Sequence, residues 1–176
     1  MTRLAMVWPP VPGGDAGSVT QAVGEHATQQ IVIHAPPQAC FDVAVEFERY
    51  PEWAADVKEV VVAERDASGR ASLVRFRAAA FGRSTAYTLR YDYGDAPARL
   101  SWVEVEGDIT NKLDGVYEFA PVGDGAATEV TYHLEADLRI PLPSFVKRRA
   151  AVMITHTALR ELKARVEGSH SQPPLP

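Results

Sequence analysis

The chain has 176 residues, 46% hydrophobic and 23% charged, the balance of one ordinary soluble domain long enough to bury a core. A net charge of -5 argues against nucleic acid as a partner, because phosphate binding needs an excess of Lys and Arg on one face. The single cysteine, Cys40, excludes an internal disulfide and fits a reducing cytoplasm.

Residues 1–27 are rich in Pro, Gly, Ser and Ala without a sustained apolar period, which predicts a mobile arm carrying one large aromatic, Trp8. Its start, one Arg followed by "WPPVPGG", has no long apolar core before a cleavage site and does not read as a secretory signal. No run in the chain approaches the ~18 apolar residues of a membrane span. "QIVIHAP" alternates Ile31 and Ile33 against Val32 and His34, a short strand stopped by Pro36-Pro37. "PQACFDVAVEF" then spaces Ala39/Cys40, Val43/Ala44 and Phe47 as a helix, with Pro37 near its start. In "RYPEWAAD" Tyr50 precedes Pro51 and is pushed out of the α region, so the helix ends there.

Strand patterns follow in "VKEVVVAERD", "ASLVRFRAAAF", "TAYTLRYDY", "RLSWVEVEG", "DITNKLDGVYEFAPV" and "ATEVTYHLEADLRI", most of them parted by turn signals such as "ASGR", "GDAPA" and "GDG". Such short connections predict an antiparallel meander. Ser144 to Val166 reads as a long helix, with Ser144 available as cap and Gly168 beyond its end. "GSHSQPPLP" reads as a disordered tail, which leaves residues 28–167 as the folded domain.

Period-2 alternation separates two faces of the sheet. Val74, Phe76, Ala78 and Ala80, then Tyr87, Leu89, Tyr91 and Tyr93, share the apolar face with Trp102, Leu113, Tyr117 and Phe119. Val130, Tyr132, Leu134, Ala136 and Leu138 complete it, and charged residues alternate with them. The last helix offers Ala151/Val152, Thr155, Ala158/Leu159, Leu162 and Val166 to that face. Its small residues leave two arrangements open. Either the helix lies tight on the sheet, as close-packed interiors usually require, or a hollow remains. Several tyrosines on one apolar face, each needing a partner for its hydroxyl, favour the hollow.

"APPQACFDVAVEFERYPEWAADVKEVVV", "LSWVEVEG", "LDGVYEF", "TEVTYHLEADL" and the long final helix together resemble the SRPBCC superfamily. That START-related group includes birch-pollen-allergen-like proteins, polyketide cyclase/dehydrases and coenzyme-Q-binding START-domain proteins. The resemblance spans Thr28 to Val166, and the Tyr-Pro-x-Trp turn is its most specific element. It implies a helix-grip α+β fold: a curved seven-stranded antiparallel sheet around a long C-terminal helix, with two short helices after the first strand. It also implies a deep hydrophobic cavity whose entrance Tyr50 and Trp53 would border. Plugging the corner as core residues is the other role open to Trp53.

No strong catalytic signature accompanies this pattern. The histidines are scattered without metal-ligand spacing, and no nucleophile elbow or phosphate loop is present. Cys40 falls on the apolar side of its helix and reads as an inert thiol. His156 reads as a helix-flank residue. Glu104 and Glu106 share the parity of Trp102; inward they would serve proton transfer, but a bulge before Gly107 is expected to turn one or both outward. Lys147 to Arg149 places positive charge in the last helix's first turn, against its dipole. Val146, Ala150, Met153 and Ile154 form a second apolar strip on that helix.

The expected function is binding or transport of a hydrophobic small molecule, whether lipid, quinone or polyketide-like, with no metal and no cofactor. The expected ligand-binding residues are Tyr50, Trp53, Phe76, Ala78, Tyr87, Leu89, Tyr91, Trp102, Tyr117, Phe119, Tyr132, Leu134, Thr155, Ala158 and Leu159. Catalysis as a polyketide aromatase/cyclase/dehydrase is the alternative, and a ligand-free interaction module is the third. The expected partners exclude nucleic acid and integral membrane contact; peripheral membrane contact stays open, as does the choice of monomer or homodimer.

Overall fold

The computed structural model describes residues 24–170; Trp8, the arm before Gly24 and the end of the tail lie outside them. Seven strands form one antiparallel sheet. They are β1 (Glu25–Ile33), β2 (Val57–Arg65), β3 (Ala71–Ala80), β4 (Arg83–Asp92), β5 (Arg99–Gly107), β6 (Thr110–Val122) and β7 (Ala127–Leu138). Their spatial order is β1-β7-β6-β5-β4-β3-β2. Only β1 leaves the chain order, closing on β7 from the far end. Two helices, α1 (Pro37–Val45) and α2 (Ser144–His170), and one 3-10 helix (Phe47–Glu52) complete the fold. No described helix is long and apolar enough to cross a membrane.

The alternation seen in the sequence is the burial pattern of the sheet. Val74, Phe76, Leu89, Trp102, Phe119, Val130 and Leu134 are all buried, and Arg75, Arg77, Arg90, Val103 and Val105 are exposed. β1 begins at Glu25, earlier than the expected domain start at Thr28. Backbone pairing with β7 carries it that far: Glu25 stands opposite Ala136 and Ala27 opposite Leu134. A ladder with a ready partner strand extends where the side-chain pattern alone is silent.

α1 starts on Pro37, whose missing N–H falls where a helix has no acceptor for it. It buries Cys40, Phe41 and Ala44. The 3-10 helix follows, with Pro51 inside it, and Trp53 and Ala54 both donate backbone N–H groups to the Tyr50 carbonyl. The Tyr50 hydroxyl donates back to the Ala44 carbonyl at 2.6 Å, tying this corner to α1.

α2 packs chiefly on β1, β7 and α1 rather than on the central strands. Ala151, Thr155, Leu159, Leu162 and Val166 are buried along that contact. Val152, expected on the same face, is 39% exposed: the helix rests on one edge of the sheet, so the buried stripe is narrower than a helix spanning it would show. The helix also runs past Val166 and through Gly168 to His170, where the Ser169 hydroxyl bonds the Arg165 carbonyl. Ser144 is its first residue, and the Pro143 carbonyl accepts from Val146 and Lys147.

Side-chain ties between α2 and the rest of the fold gather at its two ends. Near the C-terminus, Glu161 accepts from Ala55 N–H, Lys163 donates to the Val32 carbonyl, Arg165 pairs with Glu52, and Glu167 accepts from both His34 N–H groups. Near the start, Lys147 donates to the Leu138 carbonyl and Arg148 pairs with Glu25. Between Arg149 and Arg160 the one side-chain hydrogen bond is Thr155 to its own helix carbonyls.

Candidate functional site

Because α2 sits over β1 and β7, the concave face of β3 to β6 is lined by its own large side chains. Aromatic rings run across it in a continuous chain. Trp53 meets Tyr50 at 4.7 Å between centroids, Tyr50 meets Phe76 at 6.0 Å, and Phe76 stacks on Tyr87 at 5.3 Å. Phe47 reaches Tyr91 at 4.4 Å, and Tyr91 meets Trp102 at 5.7 Å. Trp102 in turn touches Tyr117 and Tyr132, and those two rings lie 4.5 Å apart. Such edge and tilted contacts suit the ring quadrupoles.

The phenols report what lies in front of them. Tyr50 and Tyr93 satisfy their hydroxyls on the carbonyls of Ala44 and Ala71. Among the described residues Tyr87, Tyr91, Tyr117 and Tyr132 make no hydrogen bond through theirs, and none of the four oxygens is sealed from solvent. Burial drives the pKa of each of these four phenols upward. Tyr87, Tyr91 and Tyr117 also stay half-buried rather than fully packed. These unbonded hydroxyls are the polar groups that the aromatic concave face offers to a ligand.

Ala27, Ala136 and Ala151 belong to one core that also takes in Phe76, Leu89, Trp102 and Tyr132, with Tyr50, Trp53, Tyr87, Tyr91 and Tyr117 packed against it; Ala78 on β3 stands apart from that core, next to Val57. Of the expected site residues, Tyr50, Trp53, Tyr87, Tyr91, Tyr117 and Ala158 are half-buried, and Phe76, Ala78, Leu89, Trp102 and Tyr132 are buried on the concave face. Phe119, Leu134, Thr155 and Leu159 are at most 2% exposed and sit within the core. The Thr155 hydroxyl is spent on α2 itself. Trp53 closes the corner with its indole N–H buried and without a partner. Two surface clefts are also present. One of about 280 Å³ runs along Thr157, Arg160, Glu161 and Ala164. The other, about 380 Å³, opens where β4 meets β5 and touches Tyr87.

Sequence periodicity placed Leu113 and Phe47 on apolar faces without assigning them to the site, and it missed the reason for Gly115. Gly115 pairs with Trp102, and a Cβ there would come within 2.2 Å of the indole ring. Glycine inside a strand was the available signal. The Trp102 N–H donates to the Leu113 carbonyl at 3.1 Å, fixing the ring.

The two glutamates part company at a bulge. Thr88 faces Glu106 and Leu89 faces Glu104, so β5 spends the extra residue Val105 between them. Glu106 turns out to solvent, while Glu104 stays half-buried beside Leu89. Thr110 donates its hydroxyl to one Glu104 oxygen; the other is buried without a partner. Burial raises the Glu104 pKa, with the Asp114 charge adding to it and the Thr110 bond opposing it. Cys40 is fully buried, its thiol directed at the Ala35 carbonyl and its pKa raised by burial. His156 is exposed. Among the described residues no three His, Cys, Asp or Glu gather as metal ligands do.

A curved sheet gripping one long helix, with an aromatic hollow between them, is the architecture of the START-like helix-grip domains. The chain belongs to the polyketide cyclase/dehydrase and lipid transport family, whose model matches residues 25–167. Similar solved structures include a START superfamily protein from Mycobacterium smegmatis, 21% identical with a TM-score of 0.78, over 82% of this chain and 99% of that one. The Zhui aromatase/cyclase from a Streptomyces species is 17% identical with a TM-score of 0.69, over 81% of this chain and 93% of that one. The di-domain ARO/CYC BexL is 21% identical with a TM-score of 0.66, over 84% of this chain and 48% of that one. No curated protein sequence matches the chain at a significant level.

Proposed function

We propose that the domain binds a hydrophobic small molecule, a lipid, quinone or polyketide-like compound, in a hollow on the aromatic concave face of the sheet. The observation that carries this is the set of four phenol hydroxyls, on Tyr87, Tyr91, Tyr117 and Tyr132, left unbonded on an aromatic wall. Apolar walls with a few convergent polar groups are how small-molecule sites generally look. The rings supply contact area, and the hydroxyls orient a ligand carbonyl or phenol. Tyr50, Trp53, Phe76, Leu89 and Trp102 form the apolar remainder of the wall. Family membership supports a ligand-holding role, and nothing in the comparisons favours an interaction module that lacks a ligand.

Native mass spectrometry of the full chain, before and after solvent extraction, tests this. A bound species of defined mass, lost on extraction with the fold intact, is the expected result. Thermal-shift titration with quinones, fatty acids and aromatic polyketides extends the test to a ligand lost in purification. No bound mass and no stabilisation by any of them would remove the hollow as the working site.

A second reading, aromatase/cyclase activity, is favoured by Glu104. A carboxyl whose pKa is raised by burial, beside an aromatic wall, is suited to take and return a proton while an enolate closes a ring. The test is turnover of a poly-β-ketone chain on a carrier thioester mimic. Glu104→Gln is expected to lower the rate about a hundredfold or more while leaving binding of an aromatic polyketide unchanged. No product from the unaltered chain would end this reading and leave the binding function standing.

A further inference from the structure

The sheet register brings one group of elements to a single end of the molecule. Val57 at the start of β2 lies beside Ala78, and the turn of Phe81 and Gly82 closes Ala80 on Arg83. β5 ends beside Tyr87, Thr110 faces Leu138, and β1 begins opposite Ala136. α2 starts just beyond the end of β7, so its first turns rise from the same end. The Trp53 corner, from which β2 departs, stands instead against the C-terminal part of α2, where Glu161 accepts from Ala55 N–H and Arg165 pairs with Glu52.

The surface at this end is distinctive. Phe145 is 72% exposed, Met153 59% and Phe81 48%, with Val152 and Ile154 near them in exposure. The remaining exposed large apolar residues, Val32, Val61, Val103, Val105 and Val122, are valines distributed over the strands. Phe81 also holds a φ of 52°. That is the left-handed region, where the two-residue turn favours Asn or Gly and a bulky side chain is strained. A strained backbone thus presents a phenyl ring to solvent.

Charge follows the same geography. From Ser144 to Arg160 the chain carries Lys147, Arg148, Arg149 and Arg160 and no Asp or Glu. Arg148 pairs with Glu25, but neither Arg149 nor Arg83 of the β3–β4 turn has an ion-pair partner among the described residues. Asp108 is held by Thr85 and Ala86 N–H. Three exposed acids, Asp56, Glu106 and Asp108, lie on the strand side, and the helix side has none. The whole chain carries a net -5, so an anionic surface repels most of the molecule and attracts this end.

We propose that this end docks on an anionic lipid bilayer. Phe145, Met153 and Phe81 would enter the boundary between headgroups and acyl chains, and Arg149 and Arg83 would meet the lipid phosphates. A bilayer is favoured over a protein partner because the apolar groups project singly from a helix and a turn tip, and a fluid surface accepts them without a matching groove. Docking here rests on the ligand-holding function proposed above: it would bring the domain to the bilayer from which a hydrophobic ligand is taken or to which it is given.

Co-sedimentation of the full chain with phosphatidylcholine vesicles, with and without phosphatidylglycerol, is the test. Binding is expected to the anionic vesicles only and to weaken as salt rises. Arg149→Ala should weaken it about fivefold, the contribution of one basic group near such a surface, and Phe145→Ser with Met153→Ser should abolish it. Phe81→Asn separates docking from structure: it should raise Tm by relieving the left-handed strain and yet weaken vesicle binding. Ligand binding to the hollow should be unchanged in all of these. Failure of the unaltered chain to sediment with anionic vesicles overturns the inference, as does sedimentation indifferent to the variants. Binding to an acidic carrier protein without vesicle binding overturns it too, in favour of a protein partner. If the ligand still binds in any of these cases, only the docking inference falls.

Discussion

Trp102 occupies its place because residue 115, across the β5–β6 ladder, has no side chain. A Cβ there would stand 2.2 Å from the indole, with two further ring atoms inside 3.0 Å. Gly115→Ala should therefore force the ring or the strand to shift and destabilise the domain by about 2 kcal/mol, as overpacking does. Urea unfolding measures the loss, and the tryptophan emission should move with it. Alternation assigned Trp102 to the apolar face, but it could not show that the ring meets Gly115, because strand register is a non-local property. Glu104 and Glu106 illustrate the same limit. Their shared parity was legible; the bulge that keeps one in and turns the other out depends on how β4 pairs with β5. The phenols were legible as inward residues, whereas their unbonded state needed three strands in place at once.

At the scale of elements, the corner from Phe47 to Val57 is held by little backbone pairing and much side-chain contact. Tyr50 contributes both a ring among Phe47, Trp53 and Phe76 and a hydroxyl on the Ala44 carbonyl. Tyr50→Phe keeps the first and removes the second. It leaves a buried carbonyl short of one donor, and the expected loss is about 1 kcal/mol in chemical denaturation. A larger loss would mean that the bond also orders the 3-10 helix. Pro51 suggested a helix end at Tyr50, but the break between the two short helices falls at Glu46, and Pro51 sits inside the 3-10 helix that follows. The position of α2 was less legible. A helical wheel identifies an apolar face but not how far the helix overhangs its support, which is why Val152 emerges at the surface. Gly168 likewise signals a stop only where the chain takes a left-handed turn, and here it continues as helix.

Across the whole molecule the seven strands and the long helix were readable because each has one buried face, so side-chain period and fold coincide. The hollow was not readable, since small residues serve tight packing and open space equally well. Its wall makes the tyrosines a collective reporter. All six phenols are pushed upward, chiefly by burial, Tyr93 to about 12. In the unfolded chain they would ionise near pH 10. A phenol whose folded pKa is raised adds stability that is complete below its unfolded value and is lost as pH rises beyond it. The near-ultraviolet phenolate absorbance should therefore stay flat through the ordinary tyrosine range and then rise in one step with alkaline unfolding. A gradual rise near pH 10 would show that the phenols titrate as free groups and would count against the enclosed wall.

The side-chain ties of α2 make it a span pinned at both ends. Four attachments secure the stretch from Glu161 to Glu167, Lys147 and Arg148 secure its start, and among the described residues none leaves the helix between Arg149 and Arg160. The strands opposite are joined along their length by ladder hydrogen bonds, so parting them would break many bonds at once. Lifting the middle of the helix would break few. A guest wider than the resting gap would therefore enter by bowing that span rather than by unzipping the sheet.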